Sequence, residues 1–295
     1  MRFDPHQLSA LSAILRHGSF EAAASELAVT PSAISQRIKA LEDRVGASLI
    51  QRGNPCSGTP TGLRIARHAE DIGLLEAQLT RELALETSPG AARVRIAVTA
   101  DSLATWFIDA MAKVDGMLFD LVIDNQDYSA AWLRRGEVSA AISVGGHAVS
   151  GCDTFSLGSL RYLPTASPDF IRKWFAVGVT PVTLAKAPCL IFNPKDKLQS
   201  TWIEAQTGTR ISPPSHFLPS SQGFVDAAIA GVGWGMNPEV LVRPMLEDGR
   251  LCELVPGKPL DIPLTWQVGR ILAPALTSLT RAVRQAAAQI MVPSE

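Results

Sequence analysis

The sequence predicts a mixed α/β protein with a helical N-terminal part and a longer part in which strands and helices alternate. In residues 1–90, apolar residues recur at the three- and four-residue spacing of helix faces. From residue 93 onward, short apolar runs of strand length alternate with amphipathic stretches, a pattern typical of sheets covered by helices. The chain of 295 residues is long enough for two or three compact units with sizeable cores.

Residues 19–41 are predicted to form two short helices joined by a tight turn. Ser19 can cap the first helix, and the turn falls at residues 28–29. Thr30 and Pro31 start the second helix, because a threonine hydroxyl accepts from a free amide and proline at the first helical position loses no hydrogen bond. This arrangement predicts a helix-turn-helix that reads DNA, although the periodicity also fits a plain helical hairpin.

The second helix has one apolar and one polar face. Its apolar residues fall at i, i+4, i+7 and i+11, and hydroxyl and amide side chains suited to base edges lie opposite. Residues 27–41 contain no acidic side chain that would repel a polyanion. The apolar face consists of Ile34, Ile38, Leu41 and Val45. The predicted DNA contacts of this helix are Thr30, Pro31, Ser32, Ser35, Gln36, Arg37 and Lys39.

A small β-wing is predicted to follow this helix. Gly46 ends the helix, and residues 53–55 form a turn between two short extended segments. Arg52 at the edge of the wing is placed to contact a phosphate and completes the set of predicted DNA contacts. A lone surface arginine is also explained by solvation alone.

Residues 61–87 are predicted to form a long helix that pairs with a second copy. Ile65, Ile72 and Leu79 are seven residues apart, and Leu75 and Leu83 widen the apolar stripe. Two paired copies would address two half-sites, so the DNA target is expected to be an inverted repeat. The alternative is an ordinary amphipathic helix packed on its own domain.

The charge of the chain indicates that any DNA contact is local. The whole chain has a net charge of -1, and residues 1–60 carry six Lys or Arg against five Asp or Glu. A protein that coats nucleic acid without specificity would be far more basic. Affinity is therefore expected to depend on specific contacts and on dimerisation.

The cysteines and the N-terminus predict a cytoplasmic protein without a metal site. The four cysteines are far apart, with no CxxC motif and no histidine at ligand spacing, so they are expected to be reduced thiols. No basic segment followed by an apolar one marks a signal peptide, and no apolar run is long enough to span a bilayer. The cysteines are Cys56, Cys152, Cys189 and Cys252.

The N-terminal block FEAAASELAVTPSAISQRIKALEDRVGASLIQR, followed by TPTG, resembles the LysR-type transcriptional regulators. The segments ADSLATW (100–106), LRRGEV (133–138) and PSSQGFV (219–225) are similar to the ArgP/LysG branch, whose members respond to lysine and arginine. The resemblance covers essentially the whole chain.

This resemblance implies three parts. Residues 1–60 would form a winged helix-turn-helix domain, and residues 61–90 a dimerisation helix and hinge. Residues 91–295 would form an effector-binding domain of two α/β lobes of the periplasmic-binding-protein type II kind. Lobe I would comprise about 91–161 and 268–295, and lobe II about 162–267, with the chain crossing near 162–166 and returning near 263–268.

Within the effector half, the apolar runs predict strands followed by helices in a parallel arrangement. The predicted strands are residues 94–98, 119–123, 139–144, 160–166, 189–193, 215–218 and 262–269. The predicted helices are residues 103–113, 130–135, 168–175, 199–206, 222–230 and 275–291.

Three segments are candidates for an effector site, because ligands in open α/β sheets bind beyond the C-terminal ends of strands. Residues 99–102 and 219–221 open helices and could hold a carboxylate, whereas residues 124–127 could pair with a cation. A basic amino acid needs both kinds of group. Helix capping or solvation also explains these residues. The candidate effector contacts are Ala100, Asp101, Ser102, Leu103, Asp124, Gln126, Ser143, Ser220 and Ser221.

The sequence departs from this branch at two places. Members of the branch carry acidic residues at the positions matching Asp124 and Gln126, and this chain has an amide at the second. Residues 266–268 read Trp-Gln-Val, where the branch has a sequence of the Tyr-Trp-His kind. The departures leave open an altered ligand, a neutral ligand, or a ligand that is held differently.

The resulting prediction is a regulator without enzymatic activity and without a metal or other cofactor. It would bind double-stranded DNA at an inverted repeat as a dimer or a dimer of dimers, and sense a small molecule such as lysine or arginine. RNA polymerase is a candidate partner, and a membrane is not expected. The target would include an amino acid exporter gene. The alternatives are a regulator with another small polar or neutral ligand, a solute-binding protein and a small-molecule enzyme, for which no catalytic motif is present.

Overall fold

The computed structural model of the chain describes residues 2–84, 92–124, 129–145 and 148–293, and the side chains of residues 124 and 129 are excluded from the description. It confirms a mixed α/β protein with a helical N-terminal part. Among the described helices, none combines the length and the apolar character that crossing a bilayer requires.

The N-terminal part contains three helices and a short hairpin. The Ser19 hydroxyl accepts from the Ala22 amide at 3.0 Å, and the Thr30 hydroxyl accepts from the Ala33 amide at 3.2 Å. The predicted start of the second motif helix is therefore confirmed, with Pro31 as its first residue. The elements are α1 (Pro5–His17), α2 (Phe20–Glu26), α3 (Pro31–Val45), β1 (Ile50–Gln51) and β2 (Ser57–Gly58).

A long helix, α4 (Pro60–Glu82), connects two hydrophobic cores. Ile65 is buried in the core of the N-terminal part, whereas Leu74 and Ala77 are buried in the core of the effector half. Near its start, a Cβ on Gly62 would lie 1.9 Å from the Leu49 carbonyl oxygen, so only glycine allows the helix to approach the wing. The helix ends before the predicted residue 87.

The effector half is built on one seven-stranded sheet in the order β10-β6-β11-β5-β3-β4, with β9 also paired to β6. Its strands are β3 (Ala92–Thr99), β4 (Met117–Asp124), β5 (Ala140–Val144), β6 (Cys152–Ala166), β9 (Gly235–Pro238), β10 (Cys252–Glu253) and β11 (Leu260–Gly269). A separate parallel pair is formed by β7 (Cys189–Ile191) and β8 (Ser215–Phe217). The helices are α5 (Ala100–Thr105), α6 (Phe107–Met111), α7 (Ser129–Arg134), α8 (Pro168–Trp174), α9 (Pro181–Leu184), α10 (Leu198–Thr207), α11 (Ser221–Ile229), α12 (Glu239–Glu247) and α13 (Thr277–Ala287).

The prediction of a parallel sheet is correct for β3, β4 and β5 and wrong for the rest of this sheet. Strand β11 pairs antiparallel with β5 and with β6, and β6 pairs antiparallel with β9 and β10. Strands β6 and β11 are long because they belong to both lobes. A strand that leaves one lobe and another that returns to it run in opposite directions, which makes their pairing antiparallel.

The register of this long pair changes where the two lobes meet. The irregularity falls between Leu264 and Thr265 on β11, opposite Gly158 on β6. Gly158 has φ +93°, and a Cβ there would lie 2.7 Å from the Val292 carbonyl oxygen. β11 pairs with β5 through residues 264–268, and β6 pairs with β9 through residues 162–165. The division of the chain into lobes at numbered residues stays a prediction.

Other differences have local causes. The helix predicted at 103–113 begins at Ala100 and is broken at Trp106, whose side chain is fully buried and whose φ is -132°. Residues 235–253 carried no predicted element, yet they form β9, α12 and β10. Pro244 inside α12 hides that helix from a reading of the sequence.

Two glycines of α4 provide a matched test of this packing. We expect Gly62→Ala to lower the free energy of unfolding by about 1–3 kcal/mol, because the new methyl overlaps the Leu49 carbonyl oxygen. Gly73→Ala should raise it by about 0.5–1 kcal/mol, because a Cβ at Gly73 meets nothing within 4 Å and alanine favours helix. Urea unfolding of both variants measures these effects. Equal effects of the two substitutions would contradict the packing described for the wing.

Candidate functional site

One face of α3 presents polar side chains to solvent. Six of the seven residues predicted on this helix as DNA contacts are exposed, and Arg37 is half-buried. The opposite face carries Ile34, Ile38 and Leu41, which are buried in the N-terminal core. We call these seven residues, together with Arg52 of the wing, the reading surface, after the role that the sequence predicts for them. Its members are Thr30, Pro31, Ser32, Ser35, Gln36, Arg37, Lys39 and Arg52.

A shallow groove joins α3 to the wing on this surface. Pro31, Ser32 and Ser35 line one side of the groove, and Arg52 lies on the other side. The Arg52 guanidinium carbon lies 5.9 Å from the ring centre of Phe20 at the start of α2. A guanidinium over an aromatic face is held by a cation–π attraction and keeps its N–H groups available. Sequence analysis identified Arg52 but missed Phe20 as its support.

The wing is fixed to the C-terminal half of α3 by a side chain outside the reading surface. The Leu49 amide donates to Glu42 Oε1 at 2.7 Å. The Thr59 hydroxyl donates to the Ser48 carbonyl oxygen at 2.8 Å and also caps α4. The wing, α3 and α4 are therefore positioned by the same few hydrogen bonds.

The second site is a cleft in the effector half, formed where the two lobes meet. One wall comes from the end of β3 and the start of α5, with Asp101 as its charged residue. The other wall comes from the loop after β7, the start of α11 and the end of β9. Tyr162 of β6 and Leu264 of β11 lie between the two walls. The free space in this cleft is about 50 Å³, enough for a few water molecules.

Asp101 connects the two walls. Its Oδ1 accepts from the Ser221 hydroxyl of α11 at 2.6 Å, and its Oδ2 accepts from the Tyr162 hydroxyl at 2.7 Å. Burial raises the pKa of the Asp101 carboxyl, and the two hydroxyl donors only partly oppose that rise. Burial also raises the pKa of Tyr162, and the neighbouring Asp101 adds to the effect. Asp101 thus places a carboxyl group in the cleft, where burial disfavours its charged form.

Two further polar groups line the opposite wall. Asp196 Oδ1 and Oδ2 accept from the amides of Leu198 and Phe192, both at 3.0 Å, which orders the loop after β7. Asn237 at the end of β9 is fully buried, and its Nδ2 donates to the Thr165 hydroxyl at 3.0 Å.

The structure brings only part of the predicted effector set into the cleft. Ala100, Asp101 and Ser221 line it, whereas Ser102, Leu103, Ser143 and Ser220 lie beside it. Ser102 is fully buried, its hydroxyl accepts from Thr99, and its amide donates to the same threonine. Ser220 caps α11 through the Gly223 amide at 3.1 Å, and Leu103 packs against the hydrophobic core. The Asp124 side chain and all of Gln126 lie outside the described residues.

Sequence analysis missed Tyr162, Asp196 and Asn237. Asp196 follows β7 and Asn237 lies at the end of β9, so the rule that sites lie at strand ends could have found them. It did not find Asn237 because β9 was not predicted. Tyr162 could not be found in this way, since it lies inside the strand that passes between the lobes.

The Trp-Gln-Val departure at residues 266–268 lies in the core of the domain. Gln267 is fully buried, its Oε1 accepts from the Val149 amide at 2.8 Å, and its Nε2 donates to the Ser143 hydroxyl at 3.2 Å. Trp266 Nε1 donates to the Thr280 hydroxyl at 3.0 Å. Neither side chain lines the cleft. The departure therefore changes how β11 is held, without placing a new group against a ligand.

The apolar stripe predicted on the long helix has two different environments. Ile65 and Ile72 pack on the N-terminal core. Leu75, Leu79 and Leu83 point outward and are 36%, 54% and 59% exposed. The exposed leucines are four residues apart and form one row on α4.

Comparison with protein families identifies both halves. The helix-turn-helix model of the lysR family of bacterial regulatory proteins matches residues 5–63, and the LysR substrate binding domain model matches residues 88–288. The chain therefore belongs to the LysR family of bacterial regulatory helix-turn-helix proteins.

Particular relatives are similar over the whole length. The chain is 42% identical over 289 residues to the transcriptional regulator LysG of Mycobacterium tuberculosis (strain ATCC 25618 / H37Rv), covering 97% of this chain and 94% of LysG. It is 41% identical over 295 residues to the regulator ArgP of Pseudomonas fluorescens (strain Pf0-1), covering 99% of both. The resemblance to the ArgP/LysG branch is thereby confirmed.

Solved structures agree with these relatives. The crystal structure of ArgP from Mycobacterium tuberculosis superimposes with a TM-score of 0.80 at 40% identity, covering 100% of both chains. Full-length LysG from Corynebacterium glutamicum with bound effector Arg gives a TM-score of 0.67 at 33% identity, covering 98% of this chain and 100% of LysG. These likenesses confirm the fold of a full-length regulator of this family.

The raised pKa of Asp101 predicts a pH dependence of stability. Its folded-state pKa lies above the unfolded value, so the folded chain holds this proton to higher pH and loses stability as pH rises through the folded pKa. Asp101→Asn removes the ionisation and keeps the shape. We expect the variant to gain stability over the unsubstituted chain as pH rises from about 4 to neutrality. Urea unfolding across this range measures the difference, and a constant difference would contradict the assignment.

Proposed function

We propose that this chain is an amino-acid-responsive transcriptional regulator whose effector is a basic amino acid, arginine or lysine, and whose targets are genes of amino acid export or metabolism. The carrying observation is the likeness over the whole chain to a LysG whose structure has bound effector Arg, together with a cleft in the effector half that the Asp101 carboxylate lines. Carboxylates are suitable partners for the amino groups of such ligands.

The proposed functions belong to three successive parts of the chain. Residues 1–60 would bind DNA, residues 61–90 would form the dimerisation helix and hinge, and residues 91–295 would bind the effector. Lobe I would comprise about 91–161 and 268–295, and lobe II about 162–267. The separate N-terminal and effector cores support this division, and α4 contributes to both.

DNA contacts would come from the reading surface. Ser32, Ser35 and Gln36 carry hydroxyl and amide groups that suit base edges, and Lys39 and Arg52 carry charges that suit phosphates. Thr30 and Pro31 would bring the N-terminal end of α3 against the DNA backbone, with Arg37 beside them. The exposure of this face and the burial of the opposite one support the proposal.

Paired copies would place two reading surfaces on an inverted repeat. The exposed row Leu75, Leu79 and Leu83 on α4 suits the contact between two copies. Packing the rows of two copies against each other would remove this apolar surface from water. A dimer, or a dimer of dimers, would then address the operator, and RNA polymerase is a further candidate partner at the promoter.

Effector binding would change the relation between the lobes. The free space of the cleft, about 50 Å³, has room for only a few water molecules. Arginine or lysine needs a larger volume, so the cleft would have to widen. The Ser221–Asp101 hydrogen bond joins the walls and would have to yield to the ligand. A ligand that binds one lobe arrangement better than the other shifts their populations. The proposed contacts are Ala100, Asp101, Ser102, Leu103, Asp124, Gln126, Ser143, Ser220 and Ser221.

The two kinds of DNA contact can be separated by substitution. Gln36→Ala should reduce the preference for the operator over random DNA by about 1–3 kcal/mol, as expected for a bidentate base contact. Lys39→Ala, on the same face, should weaken both DNAs alike and reduce the salt dependence, as expected for a phosphate contact. Fluorescence anisotropy at several salt concentrations measures both. If Gln36→Ala weakened both DNAs equally, Gln36 would not read a base.

The effector class is tested by isothermal titration calorimetry on the full chain. We expect arginine and lysine to bind, and neutral amino acids of similar length to bind at least 10-fold more weakly, because the cleft would pair a second cation. If the neutral amino acids bound as well, the alternative of a neutral ligand, which the amide at residue 126 favours, would replace the proposal. The DNA-binding role is independent of this outcome.

A further inference from the structure

Asn237 is a buried amide with half of its hydrogen-bonding capacity unused. It lies at the end of β9, lines the cleft and is fully buried. Its Nδ2 donates to the Thr165 hydroxyl at 3.0 Å, which directs Oδ1 the other way. In the part of the chain that the structure describes, Oδ1 has no hydrogen-bond partner.

A buried acceptor without a donor is costly, and native proteins keep few of them. Thr165 is itself fully buried on β6 and accepts the hydrogen bond from the amide. The hydrogen bond from Nδ2 to Thr165 gives the amide this orientation, which leaves an acceptor unused. Such an arrangement is expected where a ligand supplies the missing donor.

The same cleft contains a second acceptor, the half-buried Asp101, on its other wall. The Asp101 carboxylate accepts from two hydroxyls, but each of its oxygens has a further lone pair. Asp101 belongs to lobe I through α5, and Asn237 belongs to lobe II through β9. The two acceptors therefore approach the cleft from opposite sides. A ligand group that satisfies both must carry several N–H donors and a positive charge.

An α-ammonium group has these properties, and its neighbouring carboxylate needs donors close by. Lys195 lines the rim of the same cleft, and the Ser221 hydroxyl becomes available as a donor once the ligand displaces its hydrogen bond to Asp101. Acceptors and donors thus lie together, as the two charges of a zwitterionic amino acid head require. A guanidinium or side-chain amine alone would not need the donors.

We propose that Asp101 and Asn237 form the ammonium subsite of the effector cleft, with Asn237 Oδ1 and the Asp101 carboxylate both accepting from the α-amino group of the ligand. The inference rests on the proposed function and adds to it the residues that recognise the α-amino group of the ligand. Because the two acceptors belong to different lobes, one ammonium group holds the lobes together. Thr165 is a positioning residue, since it orients the Asn237 amide.

The test compares arginine with 5-guanidinopentanoate, which lacks only the α-amino group, by calorimetry or displacement on the full chain. The unsubstituted protein should bind arginine at least about 10-fold more tightly than the analogue. Asn237→Leu, which keeps the volume and removes the acceptor, should weaken arginine by about 10- to 100-fold and leave the analogue unchanged. Asn237→Asp, which keeps an acceptor, should retain the preference for arginine.

Folding and the parent proposal are controlled separately. Each variant is checked for a cooperative thermal unfolding transition and for operator binding without effector, so that a loss of arginine binding is not measured on an unfolded chain. If Asn237→Leu does not fold, Thr165→Val replaces it and should weaken arginine selectively, because the amide loses its orientation. Equal weakening of arginine and the analogue would overturn the ammonium subsite alone. Absence of arginine and lysine binding to the unsubstituted protein would overturn the proposed effector and the subsite with it.

Discussion

The antiparallel pairing of β6 with β11 is the constraint on which the effector half depends. These two strands are the long members of the sheet, and each supplies residues on both sides of the register change at Gly158 and Leu264. One end of the pair continues through β5 into lobe I, and the other end continues through β9 and β10 into lobe II. The hydrogen bonds of this pair fix its register and place Tyr162 in the cleft.

The chemistry of the cleft follows from that geometry. The hydroxyls of Tyr162 on β6 and Ser221 on α11 both donate hydrogen bonds to Asp101. The Asp101 carboxylate therefore connects its own wall of the cleft with β6 and with the opposite wall. Burial raises its pKa because the low-dielectric surroundings disfavour charge. A cationic ligand group would stabilise the charged form of the Asp101 carboxylate and offset the cost of burying that charge. Ligand charge would therefore act on the residue that connects the two walls of the cleft.

The long helix α4 couples the two halves of the chain. Ile65 is packed in the N-terminal core and Leu74 in the effector core, three turns of one continuous helix apart at most. Ser139 after α7 also donates to Asp71 of α4 at 3.4 Å. A close-packed core resists small displacements, so packing in both cores fixes α4 at its two ends.

Local chemistry allowed the sequence by itself to determine the start of α3, its apolar and polar faces, the wing, and the alternation of strands and helices from β3 to α11 apart from α9 and the break between α5 and α6. Thr30, Pro31 and the helical period act over a few residues and need no distant partner. The tertiary structure decided the antiparallel crossing, the division of the α4 stripe, and the meeting of Asp101, Tyr162, Ser221 and Asn237. These residues are separated by 60 positions or more from Asp101, and only long-range strand pairing brings them together. Neither strand period nor residue type records which strands will pair, so the site could be expected in part but not assembled.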